Sequence, residues 1–585
     1  MTHPETAEQI FQGIAAAPGI AVGPAYVYRK LVPEIREQKI SPEEVTPEIE
    51  RLQTAVQRSS KELQKILVFA EQKLGSDSAR IFEAQTMILG DSVLMGEIER
   101  RIAQERRNAE HIVADEIAKY KRLMLASELE YMHERAHDLD DVVNRIVRNI
   151  RDQRLFSRLE GESIIVSETL TPADTVVFSR NQVLAYATDL GGVTSHAAIL
   201  SRSLKIPAVV ALRSAMRAVR SGDMVAVDGY SGTLIVDPSE ATLERLRQKA
   251  ERFHEFEARL TDIVDLEAET RDHRHIELSA NVEFPEEVEF TRAQGSAGIG
   301  LFRTEGQLLG RTSYPDEEEQ CAAYDRVAGE IHPHTVIFRT FDIGGDKLSP
   351  EPLQEANPFL GWRGIRLMLD RPEVFLTQLR AILRASTRGN VRLMFPMIST
   401  IEEVRRARAF LEQAKGELAA SGIPFDPGIK VGVMIEVPSA ALQAEQIARE
   451  ADFFSIGTND LIQYTLAVDR DNSAVAPLYQ QFDPSVLRII KMTIDAGHAQ
   501  KVWVGMCGEM AGDPLATILL VGLGLDEFSV IPSMLPEIKK IIRSVDVMVA
   551  KRVAESALAM QTAAEIRTYL TGVMREILPD IPLDS

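Results

Sequence analysis

Apolar residues first settle into a helical rhythm just after Ser41. Val45, Ile49, Leu52 and Val56, then Leu63 and Ile66, recur at spacings of four and three with an interruption at Ser59, which predicts a helix with one buried face. The tetrapeptide SPEE starts it: Ser41 is placed to cap together with Glu44, and Pro42 falls at the first helical position, where a missing N–H costs nothing. Similar runs over Ile81–Leu89, Ile98–Tyr120 and Val142–Ile150, with breaks expected at Gly75, Gly90 and Gly96, predict helices folded back into a bundle.

From Ser163 the rhythm shortens. SIIVSE, VLAYAT, PAVVAL, MVAVDG and TLIVDP read as strands, with an apolar helix after His196, so a small α/β domain is predicted. GIAVGPAYVY, near the start of the chain, also reads as strand and is expected to join it, which makes the helical bundle an insertion. The segment from Ser239 to Thr270 is charged, Leu-spaced and free of proline and glycine, and predicts a linker helix. Beyond it strands and helices alternate. IELSANV, GIGLFRTE, TVIFRTFD, RLMFPMI, VGVMIEV, FFSIGTND, VWVGMCGE and DEFSV supply eight strands, the number that closes a (β/α)8 or TIM barrel. The expected domains are therefore 1–38 with 151–238 (α/β), 39–150 (helical insertion), 239–270 (linker helix) and 271–585 (barrel).

Composition narrows the partners. A formal net charge of −21 without any basic run repels phosphate backbones and argues against nucleic acid. The first segment lacks a basic n-region and is broken by Pro18, Gly19 and Gly23, unlike a signal peptide. No run approaches the ~18 apolar residues of a membrane span. Two distant cysteines, Cys321 and Cys507, form no disulfide framework and suit a reducing cytoplasm. Between residues 41 and 150 there are 16 basic and 21 acidic residues; this surface is either a solvated helical face or a docking surface for a small protein.

Chemistry collects at the strand ends: Asn281, Arg303 with Glu305, Arg339 with Asp342, Glu436, Asn459 with Asp460, and Cys507 with Glu509. In a barrel these ends form the catalytic rim. Arg303 and Arg339 carry planar forks suited to phosphate or carboxylate. Glu436 and Asp460, on adjacent strands, offer the hard oxygens that Mg2+ takes in phosphate sites, or else a salt bridge to the arginines. Cys507, between Gly505 and Gly508, is inert packing or a proton donor. His196 opens a helix behind GGVTS, where Thr194, Ser195 and free backbone amides favour an anion; it is a capping histidine or a carrier of phosphate, and the double glycine favours the second because it admits a bulky group. A phosphoryl group passing between histidine and rim requires the histidine domain to swing.

Several long motifs in order make the chain similar to a known family. GGVTSHAAILSRSLKIPAVV resembles the phosphohistidine segment of Enzyme I of the bacterial sugar phosphotransferase system, and FRTFDIGGDK, NPFLGWRGIR, FFSIGTNDLIQYTLAVDR and GMCGEMAGD resemble its phosphoenolpyruvate site. The resemblance runs from GIAAAPGIAVGPA to LDEFSVIPS. It implies that His196 is phosphorylated at Nε2, that Arg303, Arg339, Asn459, Asp460 and Arg470 bind phosphoenolpyruvate with Arg363 as a helper, that Glu436 and Asp460 hold Mg2+, and that Cys507 protonates enolpyruvate to pyruvate. It further implies that the helical insertion docks the phosphocarrier HPr and that the barrels pair as a homodimer. The chain departs from the family at Gly306 and Gln307, where large apolar residues are usual, and at Val193, where a basic residue is common.

Two other readings are weighed. Pyruvate phosphate dikinase and phosphoenolpyruvate synthase share a similar histidine segment and barrel, but need a nucleotide-binding domain, for which no Gly-rich loop or P-loop pattern is present. A non-catalytic regulator would be expected to have lost His196, an arginine or a metal carboxylate, and all are present. No sensory domain precedes the first strand, which points to sugar uptake rather than a nitrogen-linked regulatory branch.

Overall fold

The computed structural model describes residues 8–29, 35–125, 139, 142–151, 161–179, 183–192, 196–308, 311, 313–344, 355, 357–470, 472, 475–579 and 581. The chain divides into two compact units, residues 1–254 and 255–583.

In the first unit an eight-stranded sheet is built from β1 (Gln9–Gln12), β2 (Ile14–Ala17), β3 (Ile20–Tyr28), β4 (Ser163–Ser167), β5 (Val183–Thr188), β6 (Ala208–Val210), β7 (Met224–Asp228) and β8 (Thr233–Val236), in the order β1-β8-β7-β3-β4-β5-β6-β2. All five runs expected to be strands from Ser163 onward form β4 to β8. β3 and β4 are parallel neighbours although helices separate them in the chain, so the helical segment is an insertion, as expected. Its helices Val45–Gly90, Ser92–Glu105 and Ala109–Leu125, with a further helical stretch over 142–150, bury Leu52, Leu63, Ile98, Ile112, Val113 and Ile146 together.

The helix boundaries differ from the sequence reading for local reasons. The first helix starts at Val45, with Pro42 in the preceding turn; the Glu44 carboxylate reaches back to Ser41 N–H at 2.7 Å, one of the two bonds of the expected Ser41–Glu44 cap. It continues through Gly75, and Ser59 does not interrupt it: the Ser59 hydroxyl donates back to Ala55 C=O at 2.8 Å and accepts from Asn149 at 2.9 Å. Gly96 lies inside the next helix. The expected break at Gly90 is present, between Val45–Gly90 and Ser92–Glu105, and a further one falls at 106–108, where Arg106 takes a positive φ of 51° and Asn108 exchanges hydrogen bonds with Gln38. The linker helix begins near Ser239 as expected but ends at Thr261 rather than Thr270. After it the chain turns, and Lys539 takes the C=O groups of Val264 and Gly295, while Ala268 is buried in the barrel core.

The second unit is a closed barrel of eight parallel strands: β9 (Glu277–Val282), β10 (Gly298–Arg303), β11 (Thr335–Arg339), β12 (Val391–Phe395), β13 (Lys430–Ile435), β14 (Phe453–Ile456), β15 (Trp503–Met506) and β16 (Glu527–Val530). β16 pairs back onto β9. Every expected strand is present. The barrel interior is packed with Leu301, Ile337, Met394, Met434 and Phe453. Phe453 and Trp503 stack with ring centroids 4.9 Å apart, and Gly432 makes room for them: a Cβ there would stand 2.2 Å from the Phe453 ring.

Candidate active site

The barrel lifts its functional side chains to one rim because each lies at or just beyond the C-terminal end of its strand. Arg303 and Arg339 end β10 and β11 and are directly paired in register, which sets two arginines on neighbouring strands at the rim. Glu436 follows β13, Asn459 and Asp460 open the helix Thr458–Leu466 after β14, and Cys507 follows β15. These residues and Arg470 line one cavity of about 400 Å³, together with Glu283, Glu305 and Glu509. The sequence reading thus named nine residues that one cavity brings together, Glu305 and Glu509 included. Arg363 is not among them.

Arg339 is held rigidly. Its Nη2 donates to Glu305 at 3.1 Å, its Nη1 meets Asp342 at 3.1 Å, and Glu305 also accepts from the Asp342 backbone N–H at 2.6 Å. Burial opposes its charge, but Glu305, Asp342 and Glu436 together raise its pKa above the usual arginine value. Its Nε is buried and finds no hydrogen-bond partner among the described residues, which leaves a donor for an incoming anion. Arg303 is exposed on the rim. Arg470 is placed by its backbone N–H, which donates to Gln463 at 3.2 Å.

Arg363 stands behind this wall. Fully buried, it grips Asp342 through Nε and Nη2 at 3.0 and 3.1 Å and reaches Asp460 at 2.6 Å. The Tyr464 hydroxyl accepts from it at 3.3 Å and donates to Phe359 C=O. A fully buried guanidinium with these commitments orients Asp342 and Asp460.

Glu436 is buried, and burial together with the nearby carboxylates of Asp460 and Asp342 pushes its pKa upward. Met397 N–H donates to it. Two buried carboxyls on adjacent strands, beside a third, are the donor set a hard divalent cation relieves. The cavity as a whole points the same way, since three arginines face five carboxyls and an anionic ligand would need a cation beside it. Glu436 and Asp460 thus offer the hard oxygens that a divalent metal takes.

Cys507 is 4% exposed. Burial pushes its thiol up to about 11, so at neutral pH it carries its proton. The Asn281 amide donates to the Cys507 C=O at 3.0 Å and accepts from Ser529 at 2.7 Å, clamping the thiol's backbone from the β9 side. On its other side Asn459 and Glu509 exchange hydrogen bonds of 2.9 and 2.8 Å. Gly508 permits this approach, because a Cβ there would stand 1.9 Å from Thr458 Oγ1.

The sequence reading missed Glu283, which lines the cavity just beyond β9. Its signal was available: an acidic residue follows the strand end at Val282 and stands two residues before Pro285, as Glu436 follows β13 and stands two before Pro438. In the first unit His196 opens the helix His196–Ser203, as expected; Val193, Thr194 and Ser195 lie outside the described residues, as does the His196 side chain.

Comparison with known proteins agrees with this layout. Three family models match the chain: "PEP-utilising enzyme, N-terminal" over residues 12–135, "PEP-utilising enzyme, mobile domain" over 159–232 and "PEP-utilising enzyme, PEP-binding domain" over 257–547. The chain is 44% identical to the phosphoenolpyruvate-protein phosphotransferase of Geobacillus stearothermophilus, over 96% of this chain and 98% of the relative. It is 41% identical to that of Bacillus subtilis, over 96% and 99%, and 42% identical to that of Haemophilus influenzae, over 97% and 99%. With near-complete coverage of relatives at this identity, the chain belongs to the phosphoenolpyruvate-protein phosphotransferase family.

Proposed function

We propose that this chain transfers the phosphoryl group of phosphoenolpyruvate to its own His196, passes it on to a histidine of the phosphocarrier HPr, and releases pyruvate. The observation that carries the proposal is the rim cavity, where Arg303, Arg339 and Arg470 share walls with Glu436, Asp460 and a buried, protonated Cys507.

Catalysis here is positioning and electrostatics. Arg339, fixed by Glu305 and Asp342, and Arg303 beside it hold the phosphate; Arg470 and Asn459 take the remaining substrate oxygens. Mg2+, held by Glu436 and Asp460, would neutralise charge on those oxygens. The neutral imidazole of His196 attacks phosphorus through Nε2, the bond from phosphorus to the enol oxygen breaks, and the electron pair leaves with enolpyruvate. Cys507 then gives its proton to the enolpyruvate methylene carbon, and pyruvate forms. Removing the enolate this way draws the transfer forward, and a thiol that stays protonated at neutral pH suits the step.

We place HPr docking on the helical insertion, homodimer formation on the barrel and the protein in the cytoplasm, where its free thiols suit a reducing medium. No helix among the described residues is long and apolar enough to cross a membrane. The role in sugar uptake rests on the resemblance. The test is a pyruvate count: phosphoenolpyruvate and Mg2+ alone release about one pyruvate per chain, as expected when the enzyme keeps the phosphoryl group, and HPr makes release continuous. Release that requires a nucleotide would favour a dikinase-like reaction instead.

A further inference from the structure

Gly306 and Glu283 belong to one local exchange of bulk. An ideal Cβ at Gly306 would stand 2.9 Å from Phe284 Cε1, 3.0 Å from Glu283 O and 3.2 Å from Glu283 Cγ. The space that a large apolar residue would fill after FRTE is therefore taken by the β9 loop. Glu287 fixes that loop by accepting from both Glu283 N–H and Phe284 N–H, at 2.8 and 2.9 Å. The result is a carboxyl in the wall of the substrate cavity, placed there because position 306 has no side chain.

We propose that Glu283 is a specificity-determining residue of the rim, which admits the highly anionic substrate to Arg303 only as its neutral carboxyl. The inference rests on the proposed reaction. An ionised Glu283 adds negative charge to a cavity wall where the substrate brings more, and like charges at such range in a partly buried site oppose binding strongly. The groups that face Glu283 shift it upward on balance: burial raises its pKa, Arg303 lowers it, Glu305 and Glu287 raise it, and Arg339 lowers it. Substrate binding is thereby linked to proton uptake at Glu283, and affinity falls as pH rises.

The test uses the full chain with Mg2+ and follows exchange of labelled pyruvate into phosphoenolpyruvate, which needs no carrier protein, across neutral pH. Glu283→Gln mimics the neutral carboxyl. Its KM for phosphoenolpyruvate is expected to fall below that of the unaltered chain by about tenfold at the alkaline end, with the difference closing at acid pH and kcat moving much less. Superimposable KM profiles, or a higher KM in Glu283→Gln at every pH, would overturn the assignment. Where Glu283→Gln melts early, Glu283→Ala, also uncharged, is read by the same two constants and the same criterion. An unaltered chain that exchanges no label overturns the functional reading itself, and this assignment with it.

Discussion

Asp342 and Arg363 form a two-pronged ion pair in which Arg363 Nε and Nη2 meet the two carboxylate oxygens at 3.0 and 3.1 Å, with both side chains wholly buried. The same Asp342 meets Arg339 at 3.1 Å, so one carboxylate sets the positions of two arginines. Asp342→Asn leaves both guanidinium groups short of a counter-charge and is expected to cost about 3–5 kcal/mol of stability. It should also raise the KM for phosphoenolpyruvate through Arg339. Denaturant unfolding with parallel steady-state kinetics checks this; an unchanged unfolding midpoint would mean that the pair does not organise the rim.

The thiol of Cys507 is held protonated, with burial pushing it from 9.0 up to about 11. Its alkylation by iodoacetamide, followed by mass spectrometry, is therefore expected to keep accelerating above pH 9, since the thiolate is the reactive form. A plateau reached by pH 9 would show an ordinary thiol. Cys507→Ala should slow pyruvate release by about 10²–10⁴-fold, the usual worth of a general acid, while phosphoenolpyruvate still binds.

Gly508 lets the turn after β15 settle against the helix that carries Asn459 and Asp460. In Gly508→Ala the new methyl would meet Thr458 Oγ1 at 1.9 Å and Thr458 N at 2.5 Å, and the backbone atom cannot swing away. The expected outcome is a folded barrel by circular dichroism with kcat reduced about 10²-fold, the scale of a small misplacement of reacting groups. Near-normal turnover would show that the thiol and the carboxylates need not be held this close.

Below the rim, Glu527 is 2% exposed. It packs where a Cβ on Gly300 would stand 2.7 Å from its Oε1 and one on Gly505 2.4 Å from its Oε2. Burial and the neighbouring Glu277 push its pKa from 4.5 up to about 8. The folded value lies above the unfolded one, so its stabilising contribution is complete below pH 4.5 and is lost as the pH climbs to about 8. Glu527→Gln removes that loss and is expected to flatten the fall in stability over this window, measured by urea unfolding at a series of pH values. Parallel curves for the two proteins would contradict it.

The barrel was legible because its strands alternate with helices and end on reactive residues, so period and chemistry marked the same places. Eight residues named from those strand ends line the cavity, and Arg470, named from the resemblance, joins them. Arg363 was harder to place, because nothing in GWRGIR tells whether a guanidinium faces the cavity or the carboxylates behind it; that depends on Asp342 and Asp460, which only the closed barrel brings near. Glu283 was overlooked because the strand-end reading stopped at Asn281, and its approach depends on the missing side chain at Gly306. Helix ends misled for a similar reason: Gly75 and Gly96 resemble breaks in isolation, yet the helices run through both. The break at Gly90 was read correctly, whereas the one at 106–108 is set by Asn108 pairing with Gln38, far away in the chain.

The account depends most on His196 as the phosphoryl carrier between the rim cavity and a second protein. Incubation with phosphoenolpyruvate labelled at phosphorus, with Mg2+ and then with a chelator in its place, followed by peptide mapping under alkaline conditions that preserve phosphohistidine, tests it directly. The account expects about one label per chain on the peptide containing His196, lost with the chelator and absent from His196→Ala. Label that persists in His196→Ala, or maps to another peptide, would contradict it.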